Sequence, residues 1–353
     1  MAVSPDRPLR VALLGLGTVG REVARALVER GPELARGAGG REIRLAAVGV
    51  RDPGRDRGVA LPGEVARTDD LAGLVAGGEY DVLVELLGGL DVAGELVTAA
   101  LRAGRPVVTA NKALLARRGA ELEALARASG AALRFEASVG GGIPVLSPIA
   151  TDLAANRIRI VRGIVNGTTN YILSQMETEG RDYADALAEA QEKGYAEKSD
   201  PSSDVEGWDA AYKVVILARL AFGAWIDPDA VARVPSSPPG AGRPGITGVT
   251  AAEIARAMVH HRRIRLVAGA VLRDDGTIAA SVLPTTLPET APLAAVSGVR
   301  NLVEVVGEPV GSVVFAGPGA GGPETSSAIL ADILAIARGE GSTWAGLPPA
   351  GQG

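Results

Sequence analysis

Residues 9–30 read LRVALLGLGTVGREVARALVER, and this stretch decides the fold. Leu9 to Leu14 is a short apolar run that stops at Gly15. Val19, Val23, Ala26 and Leu27 then recur at helical spacing from Thr18 to Arg30. Strand, turn and helix follow in that order, and Gly15, Gly17 and Gly20 fill the turn in the pattern G-x-G-x-x-G. Glycines there permit a tight turn and let backbone N–H groups approach a pyrophosphate at the helix N-terminus.

Working outward, Glu42–Val50, Asp81–Leu86, Arg105–Thr109 and Leu133–Glu136 read as further short strands. Leu71–Ala76, Val92–Ala103 and Ala113–Ser129 read as helices between or after them. Strands alternating with helices predict an α/β fold, a Rossmann-type doubly wound parallel sheet. The alternation stops at Ser138-Val139-Gly140-Gly141-Gly142, so a dinucleotide-binding domain is expected over 1–137. A second α/β domain with its own sheet is expected over 138–311. It holds a helix at Ile143–Ala155, a strand at Ile158–Val165, a helix from Tyr171 capped by Thr168 or Thr169, a loop at Pro235–Gly245 and strands at Ile264–Leu272 and Ile278–Leu283. Ser312–Phe315, the turn Gly317–Gly322 and a helix Thr325–Arg338 are expected to return to the first domain over 312–340. Residues 341–353 are expected to be a disordered tail.

With 353 residues, 47% of them hydrophobic and 22% charged, the chain can bury a sizeable core without staples. It has no Cys, which excludes disulfides, thiolate nucleophiles and Cys-ligated zinc, and agrees with a cytoplasmic protein. Its two His, His260 and His261, are adjacent beside Arg262 and Arg263, the look of a basic helix C-terminus, and are given no catalytic role. Acid–base chemistry therefore falls to carboxylates and lysines. A net charge of −5 argues against nucleic acid as partner, and no long uninterrupted apolar stretch argues for a membrane.

The chain has four Lys against 32 Arg, which makes each Lys a candidate for work that a guanidinium cannot do. Lys112, in Thr109-Ala110-Asn111-Lys112, stands at the carboxyl end of a strand, where doubly wound sheets bind ligands; the alternative is a solvent-facing lysine. Asp209 and Lys213 lie four apart on a helix that is apolar almost all round, so the pair is expected to be buried rather than a surface ion pair. Such a pair could hold a lysine that exchanges protons with a substrate hydroxyl. Glu197, Asp200, Asp204 and Glu206 suit a substrate ammonium, or form a solvated acidic loop. Glu136 with Gly140–Gly142 could bind a cation through one carboxylate and several carbonyls, or form a hinge. After the second strand, Arg51 precedes Asp52, which favours NADP over NAD; the alternative is a solvated loop charge.

Taken together, GLGTVG at 15–20, ELLGG at 85–89, TANK at 109–112, EASVGGGIP at 136–144, GIVNGTTNYIL at 163–173, DVEGWDAAYK at 204–213, GITGVT at 245–250 and GPGAGG at 317–322 resemble homoserine dehydrogenase, in family order. The resemblance implies interconversion of L-homoserine and L-aspartate 4-semialdehyde with NAD or NADP, by a homodimer. Lys112 and Lys213 would be the acid–base candidates and Asp209 would orient Lys213. Glu197, Asp204, Gly167 and Thr168 would bind substrate. Gly15, Gly17, Thr18, Val19, Gly20, Arg51, Thr109, Asn111 and Lys112 would hold the cofactor, helped by Gly317, Gly319 and Gly321 of the return turn. A monovalent cation, Na+ or K+, would rest on Glu136, Val139, Gly141 and Ile143. Two departures stand out. Between Gly194 and Pro201 there is one residue more than the family's usual spacing, and the loop 235–245 is rich in Pro. The resemblance implies an ACT domain beyond the catalytic region in many members; none is expected here, and hence no inhibition by threonine. The rival readings are another amino-acid or sugar dehydrogenase of the same plan, and a dinucleotide-sensing protein without turnover.

Overall fold

A computed structural model describes residues 7–344 and 346–351. The first sheet is parallel: β1 (Leu9–Leu14), β2 (Ile43–Gly49), β3 (Ala66–Thr68), β4 (Val82–Glu85), β5 (Val107–Thr109) and β6 (Leu133–Arg134), in the order β3-β2-β1-β4-β5-β6. Its strands are connected by α1 (Thr18–Glu29), α2 (Gly31–Gly37), α3 (Leu71–Gly77), α4 (Asp91–Arg102) and α5 (Lys112–Ser129). The strand run is realised residue for residue, and the helix ends one residue early, with Arg30 as its C-cap. Leu9, Val11, Leu13 and Leu14 are buried, and α1 turns Val23, Ala24 and Leu27 into the same core. Two short elements, α2 and β3, carry too few apolar residues to be visible in the sequence.

The chain divides into two compact units, one running to Thr151 and resuming at Gly321, the other spanning Asp152–Ala320. Both boundaries differ from those expected at 137 and 311, for identifiable reasons. After a short 3-10 turn at Glu136–Ser138, the Glu136 carboxylate accepts N–H bonds from Val145 (2.7 Å), Leu146 (2.8 Å) and Ser147 (2.8 Å). These bonds tie the short helix α6 (Leu146–Ala150) to the end of β6, and α6 stops well before Ala155. The Gly140–Gly142 run belongs to the same unit. Gly140 and Gly141 have positive φ, and a Cβ on Gly142 would lie 2.9 Å from the Glu324 carbonyl oxygen.

The second unit is built on an antiparallel sheet, β7 (Arg157–Ile164), β8 (Arg262–Leu272), β9 (Ile278–Pro288), β10 (Arg300–Glu308) and β11 (Gly311–Pro318), ordered β11-β10-β7-β8-β9. Because β11 pairs with β10 from Gly311 to Pro318, residues up to Ala320 stay with this unit. Its helices are α7 (Gly167–Glu179), α8 (Tyr183–Glu192), α9 (Ser202–Val205), α10 (Trp208–Phe222) and α11 (Ala251–Val259). The return helix α12 (Gly322–Ala337) packs against α1 in the first unit.

The described part of the tail is ordered. Thr343 N donates to Leu133 O (3.1 Å), while Ser342 Oγ and Thr343 Oγ1 accept from the N–H groups of Leu133 and Phe135. These contacts occupy the open edge of β6, the last strand of its sheet, which would otherwise leave backbone donors unpaired. Trp344 is 2% exposed, against Phe135 and the Arg127 guanidinium. Trp344→Ala is therefore expected to lower stability by about 3 kcal/mol. A denaturant midpoint equal to that of the parent would remove the tail from the fold.

Candidate functional site

In the first unit, the chemistry gathers at the carboxyl ends of β1, β4 and β5. Gly15 has φ +97°, and a Cβ there would lie 2.8 Å from Leu86 O. A Cβ on Gly20 would lie 2.0 Å from Gly15 O, so the turn closes only with glycine at both places. Gly17 differs, because a Cβ on it would meet no protein atom within 4 Å. It precedes Thr18 and Val19 at the start of α1, which no side chain caps. Its first N–H groups thus form an uncapped helix N-terminus suited to an anion.

Beside this turn, Glu85 is fully buried at the end of β4. Its Oε1 accepts the N–H groups of Leu87 (2.8 Å) and Gly88 (3.0 Å), and its Oε2 accepts from Thr109 Oγ1 (2.5 Å). Thr109 Oγ1 in turn accepts from Asn111 N, while Asn111 caps α5 through Leu114 N and donates to Gly89 O at 2.6 Å. Glu85 thereby fixes the two loops that carry Thr109, Asn111 and half-buried Lys112. Its position inside ELLGG was quoted above, but its role depends on a partner 24 residues away and has no local signature.

At the end of β2, Arg51 is exposed, as expected of a loop charge. Sequence reasoning missed Arg57, which returns to a small hollow of about 40 Å³ beside Leu16, Val50 and Arg67. The Arg57 Nε is buried without an acceptor.

The second unit holds the lysine pair. Helix α10 is buried on nearly every side, and Asp209 and Lys213 are 7% and 8% exposed. Lys213 Nζ donates to Asp209 Oδ2 at 2.7 Å and to the Val165 carbonyl, just after β7, at 2.6 Å. Asn166 completes the cluster. Its Nδ2 donates to Asp204 Oδ1 (2.7 Å) and to Asp209 Oδ2 (2.8 Å), while its Oδ1 accepts from Thr169 N and Oγ1. Helix α7 therefore starts at Gly167 with Asn166 as its cap, not at Tyr171 with a threonine cap. An Asn caps and donates at once, which Thr, Ser or Asp in that place cannot do with two N–H groups. Burial raises the Asp204 carboxyl above its ordinary range, and the Asp209 charge adds to that; the Asn166 amide and Lys213 pull the other way.

Thr168 Oγ1 donates to Tyr195 O (2.7 Å), and Tyr195 packs edge-on against Tyr171. This pins the exposed loop carrying Glu197 to the start of α7, although the Glu197 side chain is itself solvent-facing. Gly317 lies in β11, and a Cβ on Gly319 would lie 2.0 Å from the Asn301 side chain, so both are explained within the second unit. Gly321 caps α12 in the first unit, where the next residue, Gly322, sits against Thr18 O. The Glu136 carboxylate is committed to α6, which corrects the expectation that it faces a cation. Among the described residues, no cluster of His, Cys, Asp and Glu could hold a metal ion, and no helix is long and apolar enough to cross a membrane.

Residues 15–136 match a family model for the homoserine dehydrogenase NAD binding domain, and residues 144–334 a model for homoserine dehydrogenase. The chain is similar to the homoserine dehydrogenase of Corynebacterium glutamicum, with 43% identity over 98% of this chain and 77% of that protein. Among solved structures, it is similar to a homoserine dehydrogenase from Thiobacillus denitrificans (TM-score 0.86, 41% identity, 94% of this chain and 74% of that one). It is also similar to a hyperthermophilic archaeal homoserine dehydrogenase in complex with NADPH (TM-score 0.74, 30% identity, 93% and 97%).

The cluster generates a test of Asn166. Asn166→Asp keeps the cap but places a third carboxylate beside Asp204 and Asp209, and is expected to cost about 2–4 kcal/mol of stability at neutral pH. Crowded carboxyls are held above their unfolded values, so the folded state binds more protons, and the lost stability returns as pH falls toward the ordinary carboxylate range. Thermal melts of the variant and its parent that differ equally at pH 7 and pH 5 would sink this account.

Proposed function

Because the chain belongs to the homoserine dehydrogenase family of NAD(P)-dependent oxidoreductases, we propose how its residues carry out the interconversion of L-homoserine and L-aspartate 4-semialdehyde. The observation that carries the reading is Lys213, buried in α10 and fixed by the Asp209 carboxylate and the Val165 carbonyl. When bound, the nicotinamide cofactor exchanges a hydride with the carbon that bears the hydroxyl. In the reducing direction the Lys213 ammonium gives a proton to the aldehyde oxygen as it becomes an alkoxide. In the oxidising direction the neutral amine takes that proton back. Asp209 orients Lys213, and Asn166 holds Asp209 against Asp204. The first turn of α7, with Gly167 and Thr168, offers N–H groups to the substrate carboxylate. Asp204, with Glu197 on the pinned loop, receives the substrate ammonium. Lys112 is the second lysine available for proton transfer.

The open space at Gly17 and the uncapped start of α1 fit the pyrophosphate of a dinucleotide. Thr18, Val19, Gly15 and Gly20 shape that turn, and Thr109 and Asn111 border it. NADP is the preferred cofactor, with Arg51 and the unpaired Arg57 Nε directed to the 2′-phosphate. A monovalent cation would be held by the carbonyl oxygens of Glu136, Val139, Gly141 and Ile143, while the Glu136 carboxylate stays with α6. The chain works as a homodimer, a reading supported by the shallow hollow of about 390 Å³ across β7, β8 and β9, which presents Ile160, Val267 and Leu283.

Lys213→Ala is expected to lower kcat by about 10² to 10⁴-fold with NADPH affinity unchanged. Near-normal turnover would take Lys213 out of the mechanism. Initial rates of NADPH and NADH oxidation with aspartate semialdehyde, in sodium and in potassium buffer, test the cofactor and cation readings together. NADPH is expected to be the faster at low concentration, and Arg57→Ala to raise its KM while leaving that of NADH alone. Equal use of the two would remove the 2′-phosphate assignment, and rates independent of the cation would remove the carbonyl site.

A further inference from the structure

The amino ends of the first unit's strands open onto a cavity of about 1080 Å³ that none of the groups above uses. Residues just before β1, β4, β5 and β6 form its floor, at the end of the sheet opposite to Gly15, Glu85 and Thr109. The turn after α12 closes one side.

Five arginines line this cavity, and three of them are neutralised. Arg7 pairs with Asp81 at 2.7 Å, Arg338 with Glu340 at 2.6 Å and Arg127 with Glu123 at 2.8 Å. The other two have no carboxylate partner among the described residues. Arg105 donates to the carbonyls of Val75 and Gly78, with its guanidinium 4.2 Å from the Tyr80 ring centre. Arg41 is 9% exposed and spends its Nε on the Arg7 carbonyl (3.1 Å), while its Nη2 is buried with no acceptor. Burial works against the Arg41 charge, and the nearest carboxylate, Asp81, is already held by Arg7 and the Arg10 N–H.

A buried guanidinium nitrogen without an acceptor is costly, and folded proteins leave few of them. A guanidinium fork offers parallel N–H donors that match an oxyanion. Two guanidiniums without a carboxylate partner line one cavity, and together they suit a compact anion. We propose that this cavity is a binding site for a small phosphate-bearing anion, gripped by Arg41 at its base with Arg105 as the second guanidinium. It is separate from the dinucleotide turn of the same unit.

Isothermal titration of the intact chain with inorganic pyrophosphate, with and without saturating NADPH, tests the site. NADPH is included because the glycine turn is itself a pyrophosphate cradle under the reading above. The expected result is sub-millimolar binding that persists under NADPH. In Arg41→Met it should weaken at least about tenfold, as loss of a charged hydrogen-bond partner does, with NADPH affinity unchanged. Should Arg41→Met not fold, Arg41→Lys keeps the charge, loses the fork and is expected to weaken binding in the same direction. Absence of binding, its loss under NADPH, or unchanged affinity in the folded variant would overturn the proposal. Tighter binding of succinate than of pyrophosphate would also overturn it, by making the site one for dicarboxylates.

Discussion

A charged lysine inside a helix that is buried on nearly every side can persist only if its ammonium finds acceptors as the helix packs. In α10 those acceptors are the Asp209 carboxylate one turn earlier and the Val165 carbonyl just after β7, and the Asn166 amide at the start of α7 donates in turn to Asp209. Removing any one leaves a buried charge uncompensated, which costs more than the pair contributes. The position of α10 against β7 and the starting residue of α7 are thus coupled to a single polar cluster. That coupling gives the cluster its rigidity, because no member can move without exposing another to an apolar surrounding.

The first unit follows the same logic with a different partner set. Glu85, Glu136 and Asp332 are buried carboxylates that accept backbone N–H groups from loops or helix starts. Asp332 also takes the Arg134 guanidinium at 2.8 Å, and burial nevertheless pushes its carboxyl up to about 6. Each side chain reaches across a sequence gap to satisfy donors that secondary structure leaves open. These residues act on the loops they hold, so Thr109, Asn111 and the glycine run near residue 140 owe their shape to neighbours that perform no chemistry themselves.

This explains what could be read from the sequence. Strands β1, β2, β4 and β5 and helices α1, α4 and α5 were legible because burial imposes a period that the chain repeats locally. The Asp209–Lys213 pair was legible for the same reason, since four-residue spacing on an apolar helix needs no knowledge of the rest of the fold. Strand β10 was not, because its run of apolar residues is interrupted by Asn301 and Glu304, and the partner that lets Glu304 be buried, Arg162, comes from β7. The tail was misread because Gly, Pro and Ser signal a loop, while its order comes from the open edge of β6. Asn166, Glu85 and the committed carboxylate of Glu136 were invisible as roles, although each residue was in plain view, because their partners lie between 2 and 43 residues away.

The two ends of the first sheet show why composition alone underdetermines a site. At the carboxyl end the positive potential comes from backbone: glycines bare the first N–H groups of α1, and no arginine is needed to make an anion welcome. At the amino end the helix termini present carbonyls, so any attraction for an anion must come from side chains, and there the arginines collect. A count of Arg in the sequence cannot separate those that neutralise a carboxylate from those left over. Only the pairing does so, and at this end of the sheet it leaves Arg41 and Arg105 without a carboxylate, with one Arg41 nitrogen buried and unanswered.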